Sequence, residues 1–313
     1  MLQYIWVYIK GIAMGAADVV PGVSGGTIAF ITGIYERLIQ AIKNIIPGLK
    51  LLFKGKFKQF WKSIDGNFLI VLILGIATSF LTLAHVVTYC MDFYPVLTWA
   101  FFFGLILAST LFVARDVKWG WKTVIAFIAF TVLAFFVTSP ENAPFNSADS
   151  YWFIFICGAI AICAMILPGI SGSFILLLLG KYYFMMDALK NFNIGVILVF
   201  VIGAFIGIVT FSNVLSWLFK HFKMITLAAL TGFMFGSLNK IWPWKKILST
   251  YENKDGMIKP LTERNVSPTE FEQITGADNQ LLFVILMMLI GFLLVFAIEF
   301  ISNRLKKNTE GTV

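Results

Sequence analysis

Four hydroxyl side chains sit in a twice-used setting of helix breakers. Ser24 and Thr27 lie in Pro21-Gly22-Val23-Ser24-Gly25-Gly26-Thr27, and Ser171 and Ser173 lie in Pro168-Gly169-Ile170-Ser171-Gly172-Ser173-Phe174. Proline cannot donate a backbone hydrogen bond and disfavours helix at the residue before it. Glycine permits tight turns and close approach of a ligand to the backbone. A helix restarting after such a break opens with amides that lack helical partners, and Ser24 or Ser171 is placed to cap them. That chemistry favours an anion, most naturally a phosphate, held by Ser24, Gly25, Gly26, Thr27, Ser171, Gly172 and Ser173. A plainer reading also stands: Pro-Gly-x-Ser-Gly is a kink with a serine cap, and its small residues allow tight helix packing. Two copies, one per half of an apolar chain, favour the binding site.

The charged residues near the breaks are few. Asp18 precedes Pro21 by three positions, whereas its counterpart in the second copy is Met165. A carboxylate at membrane depth is a candidate for proton or cation coupling, or it hydrogen-bonds backbone amides at the break. Glu36-Arg37 closes the first hairpin. Arg37 either grips the phosphate with its planar fork or caps an arm at the interface with Glu36, which is a second coupling candidate. The unequal pairs Asp18/Met165, Gly26/Ser173 and Thr27/Phe174 make the first copy the expected carrier of the chemistry. No metal-ligand spacing accompanies Cys90, Cys157 or Cys163, so no metal or cofactor is expected beyond a possible coupling H+ or Na+. The 2 histidines, His85 and His221, join no paired carboxylates. An enzyme such as a pyrophosphatase would need a nucleophile with an acid–base partner, so the chain reads as a non-enzyme.

These residues must be positioned by membrane-spanning helices. Hydrophobic residues make up 59% of 313 and charged ones 13%, with a mean hydropathy of +0.87. Phe68–Tyr89, Leu97–Ala114, Trp119–Thr138, Ile194–Phe219, Ile225–Trp242 and Leu281–Ile301 approach or reach the roughly 20 residues that cross a bilayer. Met1–Lys10 lacks a small-residue cleavage site and reads as retained structure rather than a signal peptide. The net charge of +8 fits basic connections between spans better than nucleic-acid binding.

The two breaks belong to a duplication. Pro21 and Pro168 are 147 apart (168 − 21), and over Pro21–Tyr35 seven of fifteen residues are identical at that offset. The following spans align at 128 (203 − 75), with identities at Val71/Val199, Gly75/Gly203, Thr82/Thr210, Val86/Val214, Thr98/Thr226, Gly104/Gly232 and Ser109/Ser237. The expected fold is an all-α polytopic membrane protein with an inverted repeat, each half a re-entrant hairpin plus three transmembrane helices. The first repeat covers 1–140 (hairpin 11–38, spans 68–89, 97–114 and 119–138). The second covers 141–313 (hairpin 155–183, spans 194–219, 225–242 and 281–301), with an external surface loop at 245–280. Cytoplasmic placement of the basic connections puts Lys43–Lys62, Arg115–Lys122, Lys220–Lys223, Arg304–Lys307 and both termini inside. The hairpins then enter from opposite faces and meet near the midplane, as alternating access requires.

The stretch Ala17–Thr27, followed by Gly33-Ile34-Tyr35-Glu36-Arg37-Leu38-Ile39, resembles the signature of the bacterial and archaeal polyprenyl-phosphate transporter family. Leu167–Ser173, Gly232–Ser237 and Trp242-Pro243-Trp244 share the resemblance, which runs from about Lys10 to Phe300. It implies translocation of undecaprenyl phosphate across the cytoplasmic membrane, recycling the carrier lipid of peptidoglycan and other envelope polymers. A phosphate on a long isoprenoid needs a polar cradle with a lateral apolar exit, and the hairpin tips suit the first need. The alternative is a secondary transporter of a small soluble anion. Neither the coupling ion nor the oligomeric state is readable from the residues.

Overall fold

Backbone polar groups inside a bilayer must be satisfied within the segment, and the apolar runs accordingly fold as helices. The computed structural model describes residues 2–19, 24–139, 150–169, 171–252 and 258–310. Pro21, Gly22, Val23 and Ile170 of the two motifs lie outside the described residues, as does most of the Ser139–Ser150 connection.

The first half opens with α1 (Leu2–Val19), the short α2 (Gly25–Ile31) and α3 (Tyr35–Lys43), followed by α4 (Ile45–Phe53) and α5 (Phe57–Ser63) in the lysine-rich connection. Next come α6 (Gly66–Leu81), α7 (Leu83–Phe93), α8 (Pro95–Asp116) and α9 (Trp121–Val137). The second half repeats the opening with α10 (Tyr151–Ile166), α11 (Gly172–Leu178) and α12 (Tyr182–Lys190). It continues through α13 (Ile194–Ser237), β1 (Lys245–Glu252), β2 (Ile258–Asn265), α14 (Pro268–Thr275) and α15 (Leu281–Glu310).

Among the described residues, two helices, Pro95–Asp116 and Ile194–Ser237, are long and apolar enough to cross a membrane, or up to four if each of two bent pairs counts as one span. Shorter apolar helices cover Trp121–Val137, Tyr151–Ile166 and Leu281–Ala297. Ile125, Phe136, Ile202, Leu282 and Leu293 point outward from them, as suits a lipid-facing surface. This is a membrane protein, helical nearly throughout.

Three expectations need correction. The span 68–89 is broken at Thr82 (φ −118°, ψ −66°) into α6 and α7. The stretch labelled α13 is two helices meeting at a kink at Phe222 (φ −134°, ψ 42°), between the expected spans 194–219 and 225–242, and the second ends at Ser237 rather than at 242. The 245–280 segment is a small structured unit, not a plain loop: β1 and β2 pair antiparallel and α14 follows. Its strands fit because Trp242 and Trp244 donate to the carbonyls of Val266 and Asn279 (both 2.9 Å), tying the unit to the helices.

Close helix packing recurs at the two sequence offsets. A Cβ on Gly11 would lie 2.4 Å from the Leu72 carbonyl oxygen, and one on Gly158 would lie 2.3 Å from that of Phe200. Gly75 and Gly203 meet the Tyr8 and Phe155 carbonyls in the same way, at 2.3 and 2.1 Å. Gly33 (φ 71°) and Gly180 (φ 68°), again 147 apart (180 − 33), make the turns into α3 and α12. Only a residue without Cβ accepts these approaches and positive φ values without strain.

Candidate functional site

Each break restarts a helix on a serine. Ser24 is extended (φ −123°, ψ 135°), and its Oγ accepts from the Gly26 amide at 3.0 Å. Ser171 (φ −99°, ψ 145°) accepts from the Phe174 amide at 3.3 Å. Both copies are therefore capped starts, in line with the residue types. The α2 and α11 starts also lie against their own preceding helices. A Cβ on Gly25 would fall 3.0 Å from the Met14 carbonyl oxygen, and one on Gly172 2.7 Å from that of Ala161, positions again 147 apart (161 − 14).

The breaks touch one another. Ser24 Oγ donates to the Met165 carbonyl at 2.7 Å. Thr27 Oγ1 accepts from the Gly169 amide at 3.0 Å. A Cβ on Gly26 would sit 2.4 Å from the Ile166 carbonyl oxygen. Ser24 and Thr27 are fully buried and Ser171 nearly so, and a buried amide or hydroxyl without a partner is costly. In this arrangement the first copy's hydroxyls satisfy backbone of the second. The second copy's Ser171 and Ser173 hydroxyls face each other at 3.3 Å. Gly169, with φ 96°, packs under the last turn of α13, where a Cβ would lie 2.6 Å from Ser237 Oγ.

The structure gathers Ser24, Gly25, Gly26, Thr27, Ser171, Gly172 and Ser173 at two adjoining breaks. Asp18 belongs to the same place: its Oδ1 accepts from the Gly25 amide at 2.7 Å, the backbone-ordering arrangement. Arg37 and Glu36 are not brought to the breaks. Arg37 Nε pairs with Asp65 at 2.6 Å, and its guanidinium lies 4.3 Å from the Phe68 ring centroid. Glu36 pairs with Lys223 at 2.8 Å. It borders a cavity of about 420 Å³ between α3 and α13, lined also by Gln40, Lys43, Ser216, Lys220 and Lys223. Lys43 Nζ donates to Ser216 Oγ across that cavity at 3.0 Å. Asp65, at φ 50° before α6, had no motif to single it out.

Lys240 was missed as well. It follows α13, is 9% exposed, and places Nζ 4.7 Å from the ring centroid of Phe174 beside the second break. Its neighbour Lys245 is satisfied, donating to the Lys240 carbonyl at 2.8 Å and pairing with Glu263 at 3.2 Å over the Trp99 ring. Lys240 Nζ itself meets no hydrogen-bond acceptor among the described residues. A ring contact returns about 0.5–2 kcal/mol, against several kcal/mol for burying an ammonium. The sequence signal was a lone lysine inside the expected 225–242 span.

A profile of the undecaprenyl phosphate translocase-like family matches residues 14–259, the stretch that holds both breaks. The chain belongs to this family. It is 45% identical over 300 residues to a polyprenyl-phosphate transporter of Vibrio cholerae serotype O1, covering 95% of this chain and 97% of that one. It is 32% identical over 264 residues to a polyprenyl-phosphate transporter of Staphylococcus aureus, covering 78% and 88%. No solved structure matches it at a significant level. The family membership agrees with the resemblance read from the two Pro-Gly-x-Ser-Gly motifs.

Proposed function

We propose that this protein transports polyprenyl phosphate, undecaprenyl phosphate in particular, between the leaflets of the cytoplasmic membrane by alternating access. Family membership and the names of two relatives as transporters, not enzymes, support the substrate class. One observation carries the mechanism: the two breaks hold each other through Ser24 to Met165 and Gly169 to Thr27. In this reading the closed contact opens during transport, and the hydroxyls and backbone that satisfy one another here receive the phosphate instead. An exchange of one set of partners for another keeps every buried polar group paired.

The inverted repeat is part of the proposal. The recurring glycine contacts support duplication, and the basic ends support inversion. The Lys118 amide lies 3.5 Å from Met224 Sδ, so the C-terminal end of α8 is beside the start of the stretch after Phe222. Those two stretches are equivalent at the 128 offset, and they run from opposite ends. Glu36–Lys223, Lys43–Ser216 and Arg115 over Phe296 (5.2 Å) gather further basic positions with them, which the positive-inside rule assigns to the cytoplasm. Asp18, bound to the Gly25 amide, is the coupling candidate at the breaks. Glu36 is the candidate at the basic cavity.

Reconstituted vesicles carrying polyprenyl phosphate in one leaflet test the proposal. The expected result is protein-dependent movement to the other leaflet. No acceleration, together with saturable uptake of soluble phosphate, would replace it with a small-anion transporter.

A further inference from the structure

We infer that Lys240 is an anion-binding residue, whose ammonium receives a phosphate monoester at the second break together with the hydroxyls of Ser171 and Ser173. The inference rests on the functional reading above and adds to it the cation that neither motif supplies. Arg37, the expected phosphate partner, is committed to Asp65, and the breaks themselves carry no basic side chain.

Three observations converge on Lys240. It is nine-tenths buried, yet its Nζ has no hydrogen-bond acceptor among the described residues. It sits over Phe174, whose amide is capped by Ser171, and Ser171 in turn faces Ser173. The acidic group nearby, Glu263, is engaged by Lys245, which also holds the Lys240 carbonyl. A structural lysine would be expected to do what Lys245 does and find an acceptor. Lys240 instead presents its ammonium over the ring of Phe174, the residue that follows Ser173 and whose amide Ser171 caps, a combination suited to a phosphate's oxygens and charge. Such a charge lowers stability in the empty protein in return for binding.

The test uses the full chain in detergent with three probes: farnesyl phosphate, farnesol and inorganic phosphate. Lys240→Met should weaken farnesyl phosphate binding about tenfold or more, as expected for loss of a charged hydrogen bond. It should leave farnesol binding unchanged and the melting temperature equal or higher. Lys240→Arg should stay within about threefold of the parent, because the charge is kept. Competition by inorganic phosphate would identify the head group alone as sufficient, and its absence would identify the lipid-linked form as the ligand. Farnesyl phosphate binding by Lys240→Met equal to the parent overturns the inference, as does a Lys240→Met chain that fails to fold. A parent protein that moves no polyprenyl phosphate but binds inorganic phosphate through Lys240 would sink the transport reading and leave this one standing.

Discussion

The two breaks share a sequence and divide their labour. The first spends its hydroxyls on the opposite half: Ser24 on the Met165 carbonyl and Thr27 on the Gly169 amide. The second keeps Ser171 and Ser173 facing each other and has the Lys240 ammonium over Phe174, with no hydrogen-bond acceptor among the described residues. The sequence asymmetry had pointed the other way, toward the first copy as carrier of the chemistry. Asp18 and Thr27 are indeed unique to it, but Asp18 orders the Gly25 amide and Thr27 bridges the halves. The difference teaches that polar residues at a break can serve closure as well as binding, and that partners decide which.

Substitutions can break that comparison. The largest effect is expected for Gly26→Ala, whose Cβ would sit 2.4 Å from the Ile166 carbonyl and wedge the halves apart. Transport should fall about 100-fold, with a stability loss of up to about 3 kcal/mol. Gly172→Ala meets the Ala161 carbonyl within its own half, so its transport defect should be smaller; equal defects would erase the distinction. Thr27→Val leaves the Gly169 amide unpaired, at about 1–3 kcal/mol, and should cost about tenfold in transport, whereas Ser173→Ala should barely change the melting temperature. Thermal unfolding in detergent reads both.

Capping serines sharpen it further. Ser24→Ala and Ser171→Ala each lose a cap, about 1 kcal/mol. Ser24→Ala also loses the bond to Met165 and should melt at the lower temperature of the two. The smallest effect belongs to Arg37→Lys. It weakens the partly exposed pair with Asp65 by at most about 1 kcal/mol and should leave phosphate affinity within about twofold, as titration with farnesyl phosphate would register.

Much of this was legible in the residues because breakers, caps and close-packing glycines act locally. Pro-Gly-x-Ser-Gly announced both restarts, and the offsets 147 and 128 matched glycines whose contacts prove equivalent, such as Gly75 with Gly203. Side-chain pairing across long separations was not legible. Nothing in Glu36-Arg37 revealed that Asp65 and Lys223 would take the two charges. Lys240 hid in an apolar run beside Trp242-Pro243-Trp244, where it read as the end of a span. The β1–β2 pair escaped because the Lys245–Gln280 stretch is polar and charge-balanced, which also describes an irregular loop.

The central claim is that the two breaks act together on the phosphate. Leaflet-to-leaflet movement of polyprenyl phosphate by the reconstituted Ser24→Ala/Ser171→Ala double variant tests it most directly, beside the parent protein and each single variant. The account predicts that the double variant, still folded, loses transport well beyond either single change. Full transport by the double variant would contradict it.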